Sequence, residues 1–237
     1  MKNNKYYPML FSTPMVEALL AGTKTMTRRT KELEFYNQRP NDFQVYQDEG
    51  RGTKEFCKFE EIRKQKPTGN YSFTISKYKI GDIFWVRETF SSAPLTDKTK
   101  HFYPELSEFI YKADYKWICV KWKPSLFMPK AACRLFLEIT DIKCERINDI
   151  SEEDAINEGV LDFFKNKDIA GNAYFNYLDK KGGWDSVADS AIHSFETLWI
   201  KINGADSWEN NPWVWVYTFK IVPKPSDFLN VNLKEKK

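Results

Sequence analysis

The sequence has few of the residues on which metal sites, disulfide frameworks and histidine triads depend. Its 237 residues include four cysteines and two histidines, and no two cysteines form a C-x-x-C pair. Scattered cysteines and so few histidines argue against a zinc site and against a disulfide framework. We therefore expect reduced thiols, no bound metal and no cofactor.

Long apolar runs are also lacking. Segments such as 18–21 and 213–217 are far shorter than the roughly 20 residues that a membrane-spanning helix needs. The first twenty residues carry Pro8, Pro14 and Glu17, where a signal peptide needs an unbroken apolar stretch. These features predict a cytoplasmic protein with no membrane partner.

The chain is rich in aromatic residues and mildly basic. Aromatic residues make up 16% and hydrophobic residues 42% of the sequence, which is enough apolar surface to exclude general disorder. The net charge is +3, but residues 1–79 hold 15 Lys and Arg against 9 Asp and Glu. A basic first third permits contacts with phosphates without requiring a nucleic acid partner.

Periodicity and turn residues predict short helices among irregularly spaced strands. The predicted helices occupy 13–22, 151–159 and 187–204, each ending at a glycine. The predicted strands occupy 24–29, 83–88, 109–113, 117–122, 134–147 (with a phase slip near Asp141) and 213–222. Residues 30–79 predict a long loop or insertion with a hairpin near 71–75. This pattern is typical of a single α+β domain built on a small β-barrel.

The segment after the first predicted helix combines three reactive side-chain types. Gly22-x-Lys24-x-x-Thr27-x-Arg29 places an amine, a hydroxyl and a guanidinium within eight residues. The cations can bind a phosphate or the edge of a base. Alternatively, Lys24 acts as a base toward Thr27, because the neighbouring positive charges of Arg28 and Arg29 disfavour its ammonium form.

Strand geometry restricts the second interpretation. On a regular strand, residues 24 and 27 point to opposite faces and lie roughly 10 Å apart, so direct contact needs a turn or bulge. A solvated basic strand edge is a third interpretation of the same residues.

Two further sites carry candidate chemistry. Glu158 falls in the last turn of a predicted helix, where the negative end of the dipole favours a protonated carboxyl that can donate a proton, although a plain surface glutamate fits the local sequence as well. Trp85 and Arg87 share one face of a predicted strand, where they can stack on and bind an unpaired base. A tryptophan in the barrel wall fits that pattern equally well.

The motif matches the G-x-K-x-x-T-x-R signature of the ASCH (activating signal cointegrator homology) family, and the chain resembles that family on these residues. A helix before the motif, a strand after Gly81-Asp82, an acidic helix and an aromatic final strand follow in the family's order. The chain is similar to the longer members often carried by phages and prophages. About half of the chain shares the resemblance, and the segments around 30–79, 91–130 and 161–190 are insertions relative to the small members.

The resemblance implies one PUA-like domain over residues 1–237, a small β-barrel with flanking helices and long insertions. Its cleft is expected to hold RNA or a modified nucleoside. Some small bacterial members remove the acetyl group from 4-acetylcytidine, which implies Lys24 as general base, Thr27 as nucleophile and Glu158 as proton donor. Other members are thought to bind RNA or to be ribonucleases. That alternative assigns Lys24, Arg28, Arg29, Trp85 and Arg87 to RNA binding.

Overall fold

A computed structural model of the chain describes residues 5–47, 56–92, 108–160, 174–175 and 187–229. These residues divide into two compact units. The first unit comprises the described parts of Met1–Ala21, Asp82–Glu138 and Ile221–Lys237, and the second those of Gly22–Gly81 and Ile139–Lys220. The predicted insertion at 161–190 lies almost entirely outside the described residues.

The fold is mixed α+β, with mostly strands in sheets and few helices. The described strands are β1 (Tyr6–Leu10), β2 (Met26–Arg29), β3 (Phe43–Gln47), β4 (Phe56–Arg63), β5 (Lys66–Ile75), β6 (Ile83–Arg87), β7 (Phe90–Ser91), β8 (Ile110–Tyr111), β9 (Phe136–Arg146), β10 (Tyr174–Phe175), β11 (Val187–Ala188) and β12 (Trp213–Val222). The described α-helices are α1 (Thr13–Leu20), α2 (Glu34–Asn37), α3 (Glu152–Asn157) and α4 (Ala191–Asn203). None of these helices has both the length and the apolar character that crossing a bilayer requires.

The first unit is built on the strand order β1–β6–β9. β1 runs parallel to β6, with Tyr6 opposite Ile83, and β6 runs antiparallel to β9. One face of these strands buries an apolar cluster that includes Trp85, Phe136 and Phe228. Trp85 is therefore part of the core of this unit.

The second unit contains the order β9–β12–β2. The first five residues of β12 are all buried, as expected for a strand that is apolar on both faces and has a neighbour on each side. β2 pairs antiparallel with β12 and places Thr27 directly opposite Tyr217.

A three-stranded antiparallel sheet, β3–β4–β5, occupies much of the segment that we predicted as a loop or insertion. The prediction of a hairpin near 71–75 identified only its last strand. The turn between β4 and β5 consists of Lys64 and Gln65, with φ angles of 50° and 61°. Positive φ at both central residues is the geometry of a two-residue hairpin, which usually takes glycine or asparagine.

The predicted helix ends are confirmed at their glycines. Gly22, Gly159 and Gly204 all have positive φ, the conformation in which a helix commonly terminates. The N-terminal boundary of α1 agrees with the prediction at residue 13, whereas α4 begins at Ala191 rather than near residue 187.

One strand prediction is wrong. Residues 117–122 form turns and irregular backbone, although their β-branched and aromatic residues favour a strand. The prediction at 109–113 shrinks to the two residues of β8. β-propensity reflects how well a side chain packs on a pleated sheet, so it takes effect only where a partner strand is present. Residues 117–122 have no partner strand among the described residues.

Candidate functional site

In the second unit, backbone contacts bring the motif residue Lys24 together with Glu158, which follows helix α3. Lys24 forms an isolated antiparallel bridge with Glu158, and the Thr25 amide donates to the Asn157 carbonyl oxygen at 2.8 Å. The motif therefore reaches the end of α3 before it continues as β2. These two segments are 134 residues apart in the sequence.

Glu158 follows the last residue of α3. Ser151 caps the start of the helix, since its hydroxyl accepts from the Asp154 amide at 3.1 Å. The first turn of the helix is acidic, which suits the positive end of the dipole. Glu158 keeps helical backbone angles as the C-cap residue, and Gly159 then reverses the chain at φ 103°. This geometry points the Glu158 carboxylate at the motif rather than at solvent.

Lys24 and Glu158 form a buried ion pair. The Lys24 Nζ donates to Glu158 Oε2 at 2.6 Å and to the Glu158 carbonyl oxygen at 2.7 Å. Their side chains are 0% and 2% exposed. Such a pair is strongly held only when further hydrogen bonds satisfy the remaining polar atoms.

Arg28 supplies those additional bonds. Its guanidinium donates to Glu158 Oε1 at 3.2 Å, to Asp154 Oδ2 at 2.7 Å and to Glu145 Oε1 at 2.7 Å. Lys143 joins the same carboxylates from β9, at 3.0 Å from Asp154 and 2.9 Å from Glu145. The network therefore pairs three cations with three carboxylates, as buried charges require: Lys24, Arg28 and Lys143 with Glu145, Asp154 and Glu158.

Burial lowers the pKa of the Lys24 ammonium. The charge of Glu158 opposes this shift, and the charges of Arg29 and Arg28 add to it. The direction agrees with the one predicted from Arg28 and Arg29, but burial is a larger cause than the charges of these arginines. A lysine with a lowered pKa gives up its proton more easily and is better suited to act as a base.

Thr27 contributes a hydroxyl without a hydrogen bond. Its side chain is buried, and Oγ1 has no hydrogen-bond partner. Lys24 therefore does not bond to Thr27 in this structure. A buried unpaired hydroxyl is unfavourable by about 1–3 kcal/mol. The indole nitrogens of Trp85 and Trp215 are also buried without a partner, so this feature is not confined to the candidate site.

Arg29 lies on the same face of β2 as Thr27 by the period of the strand. Burial lowers the pKa of Arg29, while Glu158, Tyr78 and Tyr217 act to raise it. The Tyr217 hydroxyl bonds to Ser76 Oγ at 3.0 Å. Tyr78, Tyr217 and Ser76 were missed by the sequence analysis, because strand register alone brings Tyr217 opposite Thr27.

Trp85 and Arg87 lie in the other unit. They share a face of β6, as predicted, with the Arg87 guanidinium 5.5 Å from the Trp85 ring centroid. Arg87 also donates to the Leu126 carbonyl oxygen. Trp85 is only 4% exposed, so its ring is not available to stack on a base in this structure. The described residues contain no group of His, Cys, Asp and Glu side chains placed to hold a metal ion.

The ion network predicts that acid destabilises the protein partly through Asp154. Burial acts to raise the pKa of Asp154, but the hydrogen bond from Lys143 and the charges of Arg28 and Lys143 outweigh it, so the folded-state pKa is lowered. As the pH falls, the Asp154 carboxylate of the unfolded chain is therefore protonated first, at about pH 3.9, and that of the folded protein only at lower pH. The stabilisation is fully present above that pH and is lost as pH falls through the folded-state pKa.

Melting temperatures measured from pH 7 into the acid range test this expectation. We expect Asp154→Asn to be less stable than wild type at pH 7 and to lose less stability on acidification. Asp206→Asn, at an exposed carboxylate, is the control and should parallel wild type. Equal acid sensitivity of Asp154→Asn and wild type would contradict the assignment.

No family model, curated protein or solved structure matches the chain.

Proposed function

We propose that this protein is an ASCH-type hydrolase with a PUA-like barrel, which cleaves the acyl amide of a modified cytidine such as 4-acetylcytidine. The observation that carries the proposal is the buried Lys24–Glu158 contact of 2.6 Å. Its lysine belongs to the same motif as Thr27, whose hydroxyl is unpaired. The signature motif and the acidic residue after α3 supply the three residue types that this reaction needs.

The short contact allows a proton to move between Lys24 Nζ and Glu158 Oε2. Transfer of the Lys24 proton to Glu158 would convert the ion pair into a neutral pair, an amine and a carboxylic acid. In the neutral pair, Lys24 takes the proton of the Thr27 hydroxyl as its oxygen attacks the acetyl carbonyl, a step that requires the two side chains to move into hydrogen-bond reach of one another. Glu158 donates its proton to the departing nitrogen of cytosine, and the acetyl group remains on Thr27 as an ester.

Water then completes the cycle. The first step leaves Lys24 as an ammonium and Glu158 as a carboxylate. The carboxylate takes a proton from water as the water oxygen attacks the ester, and Lys24 returns a proton to the Thr27 oxygen. Acetic acid leaves and the neutral pair is restored, so protons balance over the two steps.

The oxyanion of each step requires a nearby donor. Arg29 shares the face of β2 with Thr27 and can supply one. Arg28 acts differently: with three carboxylates around it, it holds Glu158 in place. Because Thr27 is fully buried in this structure, the reaction requires an opening that admits the acyl group.

RNA binding through the motif is the alternative, and the geometry favours it less. The side chains of Lys24 and Arg28 are both 0% exposed and are paired with carboxylates. A phosphate would have to displace these buried pairs. Trp85, which that alternative uses to stack a base, is buried in an apolar core.

A comparison of two substrates tests the proton donor. The cytosine nitrogen of 4-acetylcytidine leaves poorly without protonation, whereas the phenolate of 4-nitrophenyl acetate leaves unaided. We expect Glu158→Gln to reduce kcat/KM on 4-acetylcytidine by about 10²–10⁴-fold and on the ester far less. Because both rates come from one preparation, a folding defect would lower both alike. An equal loss on both substrates by a variant whose melting temperature matches that of wild type would contradict Glu158 as proton donor.

A further inference from the structure

The outer face of the β3–β4–β5 sheet is unusual for a surface. The opposite face packs inward through Cys57 and Phe59, and Phe59 lies 5.1 Å from Trp213, centroid to centroid. An antiparallel sheet with one buried face normally places polar residues on the other. Here the outer face carries aromatic residues instead.

Three rings on this face are substantially exposed. Tyr46 is 45%, Tyr71 49% and Phe73 54% exposed. They lie on both outer strands of the sheet, and Ile75 continues the apolar surface at 60% exposure. A cluster of exposed aromatic and apolar residues marks an interaction surface.

The rings surround a lysine. Lys58 on the central strand lies opposite Tyr46 on one side and Phe73 on the other. Its Nζ is 3.6 Å from the Tyr71 ring centroid, and Phe56 stacks on Phe73 at 5.2 Å. The face therefore offers flat π surfaces with a positive charge between them.

A buried carboxylate fixes part of this surface. Glu60 is 3% exposed and accepts from Gln44 at 2.8 Å, from the Tyr46 hydroxyl at 2.9 Å and from the Gly69 amide at 3.1 Å. These bonds hold the Tyr46 ring in one orientation. Rings that are ordered in advance lose less entropy when a ligand binds.

The accessible charge of the sheet is positive. Besides Lys58, its hairpin end carries exposed Arg63, Lys64 and Lys66. The acidic residues of the described strands are Glu60, which is buried, and Glu61, which bonds to Arg63 and Asn70. This balance complements a polyanion with exposed apolar rings.

We propose that the outer face of the β3–β4–β5 sheet binds single-stranded nucleic acid. Unpaired bases would stack on Tyr46, Tyr71 and Phe73, and phosphates would contact Lys58 and the basic hairpin end. A duplex fits poorly, because its bases are already stacked on one another. The inference does not depend on the hydrolase chemistry, since it uses none of the same residues.

Fluorescence anisotropy with labelled 20-mers of uridine and of deoxythymidine tests the proposal. We expect saturable binding of single strands, weaker binding of a duplex of equal length and affinity that falls as salt rises. Comparing the affinities for the two single strands shows whether RNA or DNA is the preferred ligand.

Ring substitutions locate the surface. We expect Tyr71→Ala and Phe73→Ala each to weaken single-strand affinity about tenfold. Phe73→Leu should weaken it similarly, because it keeps the apolar surface but removes the ring, whereas Phe73→Tyr should retain affinity. Trp117→Ala, at another exposed aromatic residue, is the matched control and should bind like wild type.

Three results would overturn the proposal. One is the lack of saturable single-strand binding at low salt by the folded full chain. Another is affinity that survives loss of both rings but is lost in Arg29→Ala, which would move the binding to the motif. The third is concentration-dependent self-association in sedimentation that Phe73→Ala abolishes, which would make a second copy the occupant of this face.

Discussion

Lys24→Met is expected to lower the free energy of unfolding by about 3–5 kcal/mol, because it removes a cationic partner from the buried Glu158 carboxylate. Glu158 would keep the Arg28 contact of 3.2 Å but lose the shorter Lys24 contact of 2.6 Å. Urea unfolding at neutral pH measures the loss. The double variant Lys24→Met, Glu158→Gln should be less destabilised than the sum of the two single variants, since it removes both charges together.

Lys116 offers a matched control on the surface. Its Nζ pairs with Glu17 Oε1 at 2.6 Å, the same distance as in the buried pair, but the side chains of Lys116 and Glu17 are 49% and 21% exposed. Exposed pairs contribute about 0–1 kcal/mol, so Lys116→Met should have a small effect. Equal effects of the two substitutions, or a coupling near zero between Lys24 and Glu158, would contradict a buried pair.

Thr27→Val is expected to separate stability from activity. Valine has nearly the shape of threonine and replaces a buried hydroxyl that has no partner, so stability should stay the same or rise by about 1 kcal/mol. Loss of the proposed nucleophile should reduce hydrolysis of 4-acetylcytidine by at least about 10³-fold. Thr27→Ser keeps a hydroxyl and should keep measurable hydrolysis.

Thermal unfolding and cytidine release measured on the same samples check both parts. A Thr27→Val protein that loses more than about 2 kcal/mol would indicate that the hydroxyl has a structural role. Normal hydrolysis by a folded Thr27→Val would exclude Thr27 as the nucleophile.

Local signals predicted the parts of the fold that local physics determines. Glycines located three helix ends, and the run at 213–222 correctly predicted a central strand. The phase slip expected near Asp141 is confirmed: Leu137 and Ile139 are buried before it, and Ile142 and Cys144 after it. Each of these signals lies within a few residues of the feature that it predicts.

The β4–β5 hairpin was missed because its turn lacks the usual residues. Lys64 and Gln65 adopt positive φ without the freedom of glycine or the side-chain bonds of asparagine. Pairing with the flanking strands must therefore compensate for the strain of the turn, and such compensation cannot be seen in a local window.

The site was predicted in its residue types and not in its contacts. The motif and the acidic helix predicted Lys24, Thr27 and Glu158 as site residues. The contact between Lys24 and Glu158, however, is visible only in the fold. Arg28 was predicted to bind RNA, whereas the fold surrounds it with three carboxylates. That arrangement depends on strand β9 and helix α3 meeting β2, which no short-range pattern contains.

The most direct test of the proposed chemistry is cytidine release from 4-acetylcytidine by wild type and Thr27→Val, with melting temperatures measured on both. With Thr27 as nucleophile, we expect turnover by wild type and almost none by a valine variant that is at least as stable. Absence of turnover by well-folded wild type, or equal turnover by both proteins, would contradict it.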